Sequence, residues 1–321
     1  MIHVAVIGYG RVGEAHATHY AKLPGVRVAA VADLSPPRRH AAATGHPDAH
    51  IAAAFDQLTK PVDLVLICTP PTSHESLIEA ALRRGAHVFC EKPVFLDPAR
   101  GRHLVDLAAA NGRIIYPGHN YVFSPMLRRL RGHALSGTLG DIRHLRVQIE
   151  RTGPATGTAA WRPEWRTEAI HSGGGVLTDH GPHCIYLTEW ITGQRITSAT
   201  YTTDATPIDS HAELNLSLTA GTTASITMSW RSPRRISTYH LVGDVAEAQL
   251  VDNLLYAPGD AQPSRGVHET PATSHAHDDW IPILAQDVIG SLTQPDRLHS
   301  LTGPAITVAR VLAGSLTPAG R

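Results

Sequence analysis

The chain has no excess of either charge: 28 Lys and Arg balance 28 Asp and Glu over 321 residues. That balance removes the basic footprint of a nucleic-acid binder or a polybasic membrane-surface protein, and neither partner is expected. Cysteine is scarce. Cys68, Cys90 and Cys184 are odd in number, widely spaced and without a CxxC pair, which excludes a readable disulfide framework or zinc ribbon and fits a reducing, cytoplasmic setting. Long apolar runs are also missing: stretches such as 62–68 fall far short of the roughly 20 residues that a membrane-spanning helix needs. The first apolar run, 2–7, ends in glycine, so a secretory leader is not expected. Histidine is plentiful at 21 residues but scattered. His275, His277 and Asp278 form the one tight cluster, a compositional hint only, and no metal is expected.

What is present is an ordered alternation. Short β-branched or apolar runs at 2–7, 26–32, 62–68, 86–90 and 113–116 are followed by segments with helical spacing, among them 11–23, 73–84 and 98–110, the last capped by Asp97 with Pro98 at its first position. Strands alternating with helices predict a parallel α/β sheet. Beyond Gly140 the pattern changes to strand-like runs at 141–151, 196–203, 211–219, 222–230 and 236–242 with no helices between them, which predicts an antiparallel sheet. A helix over 176–192 precedes most of them, and another over 303–316 ends the pattern. At this length two domains are expected: 1–120 as a dinucleotide-binding Rossmann domain, and 121–321 as an α+β domain with a large, mostly antiparallel open sheet. The final helix is free to pack back on the first domain.

Gly8-Tyr9-Gly10-Arg11-Val12-Gly13 follows the first strand and opens the first helix. Such a motif is weak alone; its strand-turn-helix setting carries the inference of a pyrophosphate site, with the glycines allowing close approach and the helix N-terminus stabilising the phosphate charge. Asp33 ends the second strand 20 residues after Gly13, where a carboxylate accepts from the adenosine ribose hydroxyls and favours NAD. Arg38, with Ser35 and Arg39, lies where a guanidinium could pair with the 2'-phosphate of NADP, so NADP stays possible.

Three further motifs stand at the ends of successive strands: Cys68-Thr69-Pro70-Pro71-Thr72-Ser73-His74, then His87-Val88-Phe89-Cys90-Glu91-Lys92-Pro93, then Gly118-His119-Asn120-Tyr121. Together with 173–183, Gly-Gly-Gly-Val-Leu-Thr-Asp-His-Gly-Pro-His, this set resembles the glucose-fructose oxidoreductase, inositol dehydrogenase and rhizopine-catabolism family, written Gfo/Idh/MocA, over most of the chain. The resemblance implies Gly8, Gly10, Arg11, Val12 and Gly13 at the pyrophosphate, Asp33 at the ribose, Thr69, Pro70 and His74 along the cofactor, and Glu91, Lys92 and Asn120 near the nicotinamide. It implies Lys92, Asp179 and His183 as the catalytic trio, and a cis peptide between Lys92 and Pro93.

The chemistry agrees. Oxidising a secondary alcohol takes a base for the hydroxyl proton and a cation for the developing oxyanion. His183, with an intrinsic pKa of about 6.5, is the natural base; Lys92 could stabilise the oxygen. Asp179 precedes His183 by four residues, so a helical path puts both on one face, where the carboxylate could orient the imidazole. His180 lies about 100° around that helix and reads as structural.

The substrate is less legible. Tyr121, Trp165, Arg166, Asp179 and His183 are the candidates, and Arg151, Trp161 and Arg162 add aromatic faces and guanidinium donors suited to a polyhydroxylated ring or a phosphate; a stabilising loop with core tryptophans is the other reading. Val122 departs from the arginine that members often carry there. The expected activity is hydride transfer between nicotinamide and a sugar, cyclitol, amino sugar or nucleotide-linked sugar, and the Ala- and Arg-rich composition fits secondary metabolism, including aminoglycosides. The rivals are an NAD-dependent glycoside hydrolase of the same fold and a non-catalytic NAD(H)-binding sensor. A homodimer or homotetramer is expected if the antiparallel sheet hides an apolar face against a second subunit.

Overall fold

The computed structural model describes residues 1–259, 264–265 and 278–316. It divides into two compact units, the first made of Met1–Gly118, Thr156–Gly173 and Ile281–Ile306, the second of His119–Ala155, Gly174–Trp280 and Thr307–Arg321.

The first unit holds a six-stranded parallel sheet of β1 (Ile2–Ile7), β2 (Val26–Ala32), β3 (His50–Ala52), β4 (Leu64–Ile67), β5 (His87–Cys90) and β6 (Ile115–Pro117), in the order β3-β2-β1-β4-β5-β6. This is the doubly wound Rossmann order, whose ligands bind at the carboxyl edge of the strands. β4 and β5 are buried throughout, as strands covered on both faces must be. Their connections carry α1 (Arg11–Tyr20), α2 (Pro36–Gly45), α3 (His74–Arg83) and α4 (Pro98–Ala110). The Asp97 carboxylate caps α4, accepting from the N–H groups of Ala99 and Arg100.

In the second unit, α5 (Pro125–Leu135) and β7 (Ile142–Glu150) lead towards α7 (Val176–Thr192), and β8 (Ile196–Thr203), β9 (His211–Leu218), β10 (Thr223–Ser229), β11 (Ile236–Gly243), β12 (Glu247–Val251), β13 (Leu254–Tyr256) and β14 (Ser264–Arg265) complete an eight-stranded sheet. Its order is β14-β13-β12-β11-β7-β10-β9-β8, antiparallel except between β7 and β10. Burial alternates along the strands: Leu145, Val147 and Ile149, or Leu214, Leu216 and Leu218, are buried in one core with Ile185 and Leu187 of α7. The other face carries Arg146, Gln148, Glu213, Asn215 and Ser217, all exposed. Along β7 and β9 that face is polar.

Two segments beyond residue 121 belong to the first unit; the sequence reading assigns 121–321 to the second domain and leaves the final helix free to pack back on the first. Thr156–Gly173, which contains α6 (Ala169–Ser172), is tied by the Ser35 hydroxyl donating to the Ala160 carbonyl (2.9 Å) and by the Thr72 hydroxyl reaching the carbonyls of Ile170 and His171. α8 (Ile281–Ser291) packs on α1 and offers Asp287 to the Tyr116 hydroxyl. α9 (Leu298–Leu312) divides between the units after Ile306. These pairings join residues far apart in the chain, which periodicity does not reveal.

Candidate active site

The glycine-rich turn between β1 and α1 is a cradle from which side chains are excluded. Gly8 has φ +85°, and a Cβ there would lie 2.8 Å from the Cys68 carbonyl oxygen; one on Gly13 would lie 1.9 Å from the Gly8 carbonyl oxygen. A Cβ on Gly10 would meet no atom within 4 Å. Gly10 is also the N-cap of α1, with no side chain capping the helix, so the first-turn N–H groups of Arg11, Val12 and Gly13 can receive a pyrophosphate. Arg11 and Val12 are exposed.

Asp33 follows β2. One carboxylate oxygen accepts the Tyr9 N–H (2.6 Å) and the other the Ser35 N–H (2.7 Å), which fixes the group and leaves each oxygen a lone pair for a ribose hydroxyl. Arg38 is engaged elsewhere: its Nε donates to the Tyr9 carbonyl and its Nη2 pairs with Glu14 (2.6 Å). Arg39 donates to the carbonyls of Asp33 and Leu34. The structure thus ties both guanidiniums to the turn, and the residues present fit NAD.

Beyond β4 and β5 the edge loops are stapled together. His74, 1% exposed, places Nε2 2.8 Å from the Thr69 carbonyl oxygen and Nδ1 2.8 Å from that of Pro93. Both His74 ring nitrogens thus face the loops. Burial lowers its pKa against the opposing pull of those carbonyls. Thr69 shares a hydrogen bond with Ser73, whose hydroxyl also reaches the Pro70 carbonyl. The Lys92-Pro93 peptide is cis, and the Lys92 N–H lies 3.3 Å from a Glu91 carboxylate oxygen.

Sequence reasoning missed His16. It lies on the buried stripe of α1 with Gly13, Ala17 and Tyr20, and its Nε2 is 3.4 Å from the Glu91 carboxylate. Burial would raise the Glu91 pKa, but the hydrogen bond and charge of His16, followed by the charge and N–H of Lys92, hold it below the usual carboxylate value. A histidine on an otherwise apolar helical stripe was the available signal.

Trp165 and Arg166 fall in the first unit, the guanidinium 4.3 Å from the indole centroid. Tyr121, Asp179 and His183 lie in the second unit. There, the Tyr121 and His183 rings are 4.3 Å apart. His183 Nδ1 lies 3.0 Å from the Tyr186 hydroxyl oxygen, which also accepts the Tyr121 N–H. Tyr186 in turn stacks on His119 at 4.0 Å. Burial raises the Tyr186 pKa well above its ordinary value and lowers that of His119 to about 3, so a neutral phenol rests on a neutral imidazole. Asp179 stands 3.8 Å from His180 Nε2. The Asn120 side-chain oxygen is buried with no hydrogen-bond partner among the described residues, an acceptor that a bound ligand would satisfy.

α7, which carries Asp179 and His183, is anchored by Asp209. Its carboxylate accepts the N–H groups of Gly175 (3.1 Å) and Leu177 (2.8 Å), and its carbonyl that of Val176. A Cβ on Gly175 would lie 1.9 Å from the Asp209 carbonyl oxygen, which explains a glycine at the helix start. Among the described residues no group of three or more His, Cys, Asp or Glu could hold a metal; the side chains of His275, His277 and Asp278 lie outside them. No helix among the described residues is long and apolar enough to cross a membrane.

Residues 2–119 match the oxidoreductase family with the NAD-binding Rossmann fold, and residues 127–249 the GFO/IDH/MocA C-terminal domain. The chain belongs to the Gfo/Idh/MocA family of oxidoreductases. Within this family it is 29% identical over 194 residues to the myo-inositol dehydrogenase Hyg17 of Streptomyces leeuwenhoekii, covering 60% of this chain and 56% of that protein. It is 28% identical over 288 residues to an inositol 2-dehydrogenase of Rhizobium meliloti (strain 1021), covering 84% and 82%. The matched stretch thus spans little more than half of the first relative. GenD2 from gentamicin A biosynthesis, solved in complex with NAD, shares the fold with a TM-score of 0.81 at 22% identity over 98% of this chain and 93% of that one.

Proposed function

We propose that this protein is an NAD-dependent dehydrogenase or ketoreductase acting on a secondary alcohol or ketone of a sugar, cyclitol, amino sugar or nucleotide-linked sugar. The observation that carries the reading is His183, set by one nitrogen on Tyr186 and flanked by Tyr121, in a chain whose family binds NAD. When bound, NAD supplies the acceptor or donor for the hydride. Gly8, Gly10 and Gly13 hold its pyrophosphate, Asp33 its ribose hydroxyls, Thr69 and Pro70 its length, and Glu91, Lys92 and Asn120 the nicotinamide end. In the oxidative direction His183 takes the hydroxyl proton as the hydride leaves carbon. The imidazolium so formed carries a proton on Nδ1, which donates to the Tyr186 oxygen and assigns the reacting proton to Nε2. Lys92 stabilises the charge developing on the substrate oxygen, and Asp179 favours the protonated imidazole. NAD is preferred over NADP, because Asp33 would repel a 2'-phosphate and Arg38 is occupied by Tyr9 and Glu14.

The test is to mix the purified protein with NAD or NADP and a panel of sugars, cyclitols, aminoglycosides and nucleotide sugars, following the near-ultraviolet absorbance of reduced nicotinamide. Turnover with NAD that His183→Ala lowers by about 100-fold to 10,000-fold, with NAD binding intact, is the expected result. Release of an aglycone without net NADH would instead establish the glycosidase, and cofactor binding with no turnover would favour a sensor.

A further inference from the structure

The second unit carries two like charges, one buried and one half-buried, that the reaction above does not use. Arg151 follows β7 and Arg235 precedes β11. Ile236 pairs with Glu150 across the antiparallel ladder, which makes the two arginines neighbours one step further along. Alternation from Leu145, Val147 and Ile149 continues to Arg151, so it lies on the face covered by α7, and it is 5% exposed.

Among the described residues neither guanidinium makes an ion pair within 4 Å. Arg151 Nη1 donates to the carbonyls of Glu150 (2.7 Å) and Ile236 (2.8 Å) and Nη2 to the Ser237 hydroxyl (2.9 Å), yet its Nε is buried without an acceptor among the described residues. The Nε of Arg235, a half-buried side chain, is in the same condition. Burial, then the charge of Arg151, lowers the Arg235 pKa, against the pull of Tyr121 and Asp252. Adjacent cations whose buried Nε donors are unsatisfied are costly until an anion arrives. Planar guanidiniums are matched to carboxylate and phosphate oxygens. Both arginines also act on the buried Tyr121 phenol, opposing the rise that burial imposes on its pKa, and the Tyr121 ring lies against those of His183 (4.3 Å) and Trp280 (5.2 Å). The two cations therefore act on the same tyrosine that packs on the proposed acid/base.

We propose that Arg151 and Arg235 bind an anionic group, a carboxylate or a phosphate, carried by the polyol on which His183 acts. This rests on the reading of His183 given above, and it narrows the substrate to polyols that carry a carboxylate or a phosphate: uronates, aldonates, and sugar or cyclitol phosphates. Arg151 is the fixed member, held by three hydrogen bonds; Arg235 is the adjustable one.

The experiment measures, by titration calorimetry on the full chain with NAD present, the binding of D-glucuronate, D-gluconate, D-glucose 6-phosphate and myo-inositol 1-phosphate against D-glucose and myo-inositol. At least one anion is expected to bind ten-fold or more tightly than its neutral parent. Arg235→Gln is expected to remove that preference, whereas Arg231→Gln, at an exposed position paired with Asp204, retains it. Tight binding of the sugar acids alone assigns the anion as a carboxylate, and of the phosphates alone as a phosphate. Equal binding of every anion and its parent, absence of binding by all the anions, or a preference that survives Arg235→Gln overturns the proposal. Hydride transfer from neutral polyols without a charge preference would leave the dehydrogenase standing and remove the anion site. Arginine-dependent anion binding with no hydride transfer from any substrate would do the reverse.

Discussion

The two units build their functional groups from different material. In the first, the decisive features are backbone: a turn that admits no Cβ at Gly8 or Gly13, first-turn N–H groups, and carbonyls that clamp His74, Arg38 and Arg39. In the second they are rings packed against rings, with His119, Tyr186, His183 and Tyr121 in sequence of contact. A backbone site is sensitive to atoms added and tolerant of side chains exchanged; a ring site is sensitive to single polar atoms removed. The same cofactor geometry can thus be kept while the substrate chemistry is altered one hydroxyl at a time.

The largest effect that would sharpen this contrast is expected at Gly13→Ala. Its methyl group would fall 1.9 Å from the Gly8 carbonyl oxygen, so NAD affinity should drop by at least about 100-fold, roughly 2.8 kcal/mol. Calorimetry with a parallel thermal melt separates lost binding from lost folding, and unchanged affinity would break the comparison. Tyr186→Phe comes next. It keeps the ring on His119 but removes the oxygen that meets His183 Nδ1 and the Tyr121 N–H. The expected result is a fall in kcat of about 10-fold with NAD affinity unaltered, since only one of the two hydrogen bonds lost bears on His183 and it is modest; equal losses in kcat and NAD binding would show that the two units are not separable in this way.

The smallest effect is on stability. Burial holds His119 at a pKa of about 3, against an unfolded value of about 6.5. Between those values the unfolded chain binds a proton that the folded chain refuses, so stability falls as pH drops through the window. His119→Phe, which preserves the stack, should flatten the acid side of a urea-melt series between about pH 6.5 and 4. A slope unchanged from the parent protein would assign the acid sensitivity elsewhere, His74 and His87 also being buried imidazoles with lowered pKa values.

The same contrast explains what could be read from residue order. Gly8 to Gly13, Asp33 and the Glu91-Lys92-Pro93 turn are contiguous motifs at strand ends, and backbone-built sites write themselves into short spacings. α4 with its Asp97 cap is equally local. His16 against Glu91, Asp209 on the start of α7 and Arg235 beside Arg151 are joined only by folding. Their partners lie on other elements, and no periodicity connects them. Trp165 and Arg166 were visible as residue types suited to a ligand, but the hydroxyl of Ser35 decides where their loop is tied.

The sharing of chain segments between the units also orders events on the ribosome. β1 to β6 emerge early, yet the Tyr116 hydroxyl has to wait for Asp287, and α1 for α8. The first unit is therefore completed only after residues 281–306 have followed its sheet out. Until residue 306 has been translated, a nascent nucleotide fold stands with part of its helical cover missing, and it is in that interval that a chaperone would find apolar surface to hold.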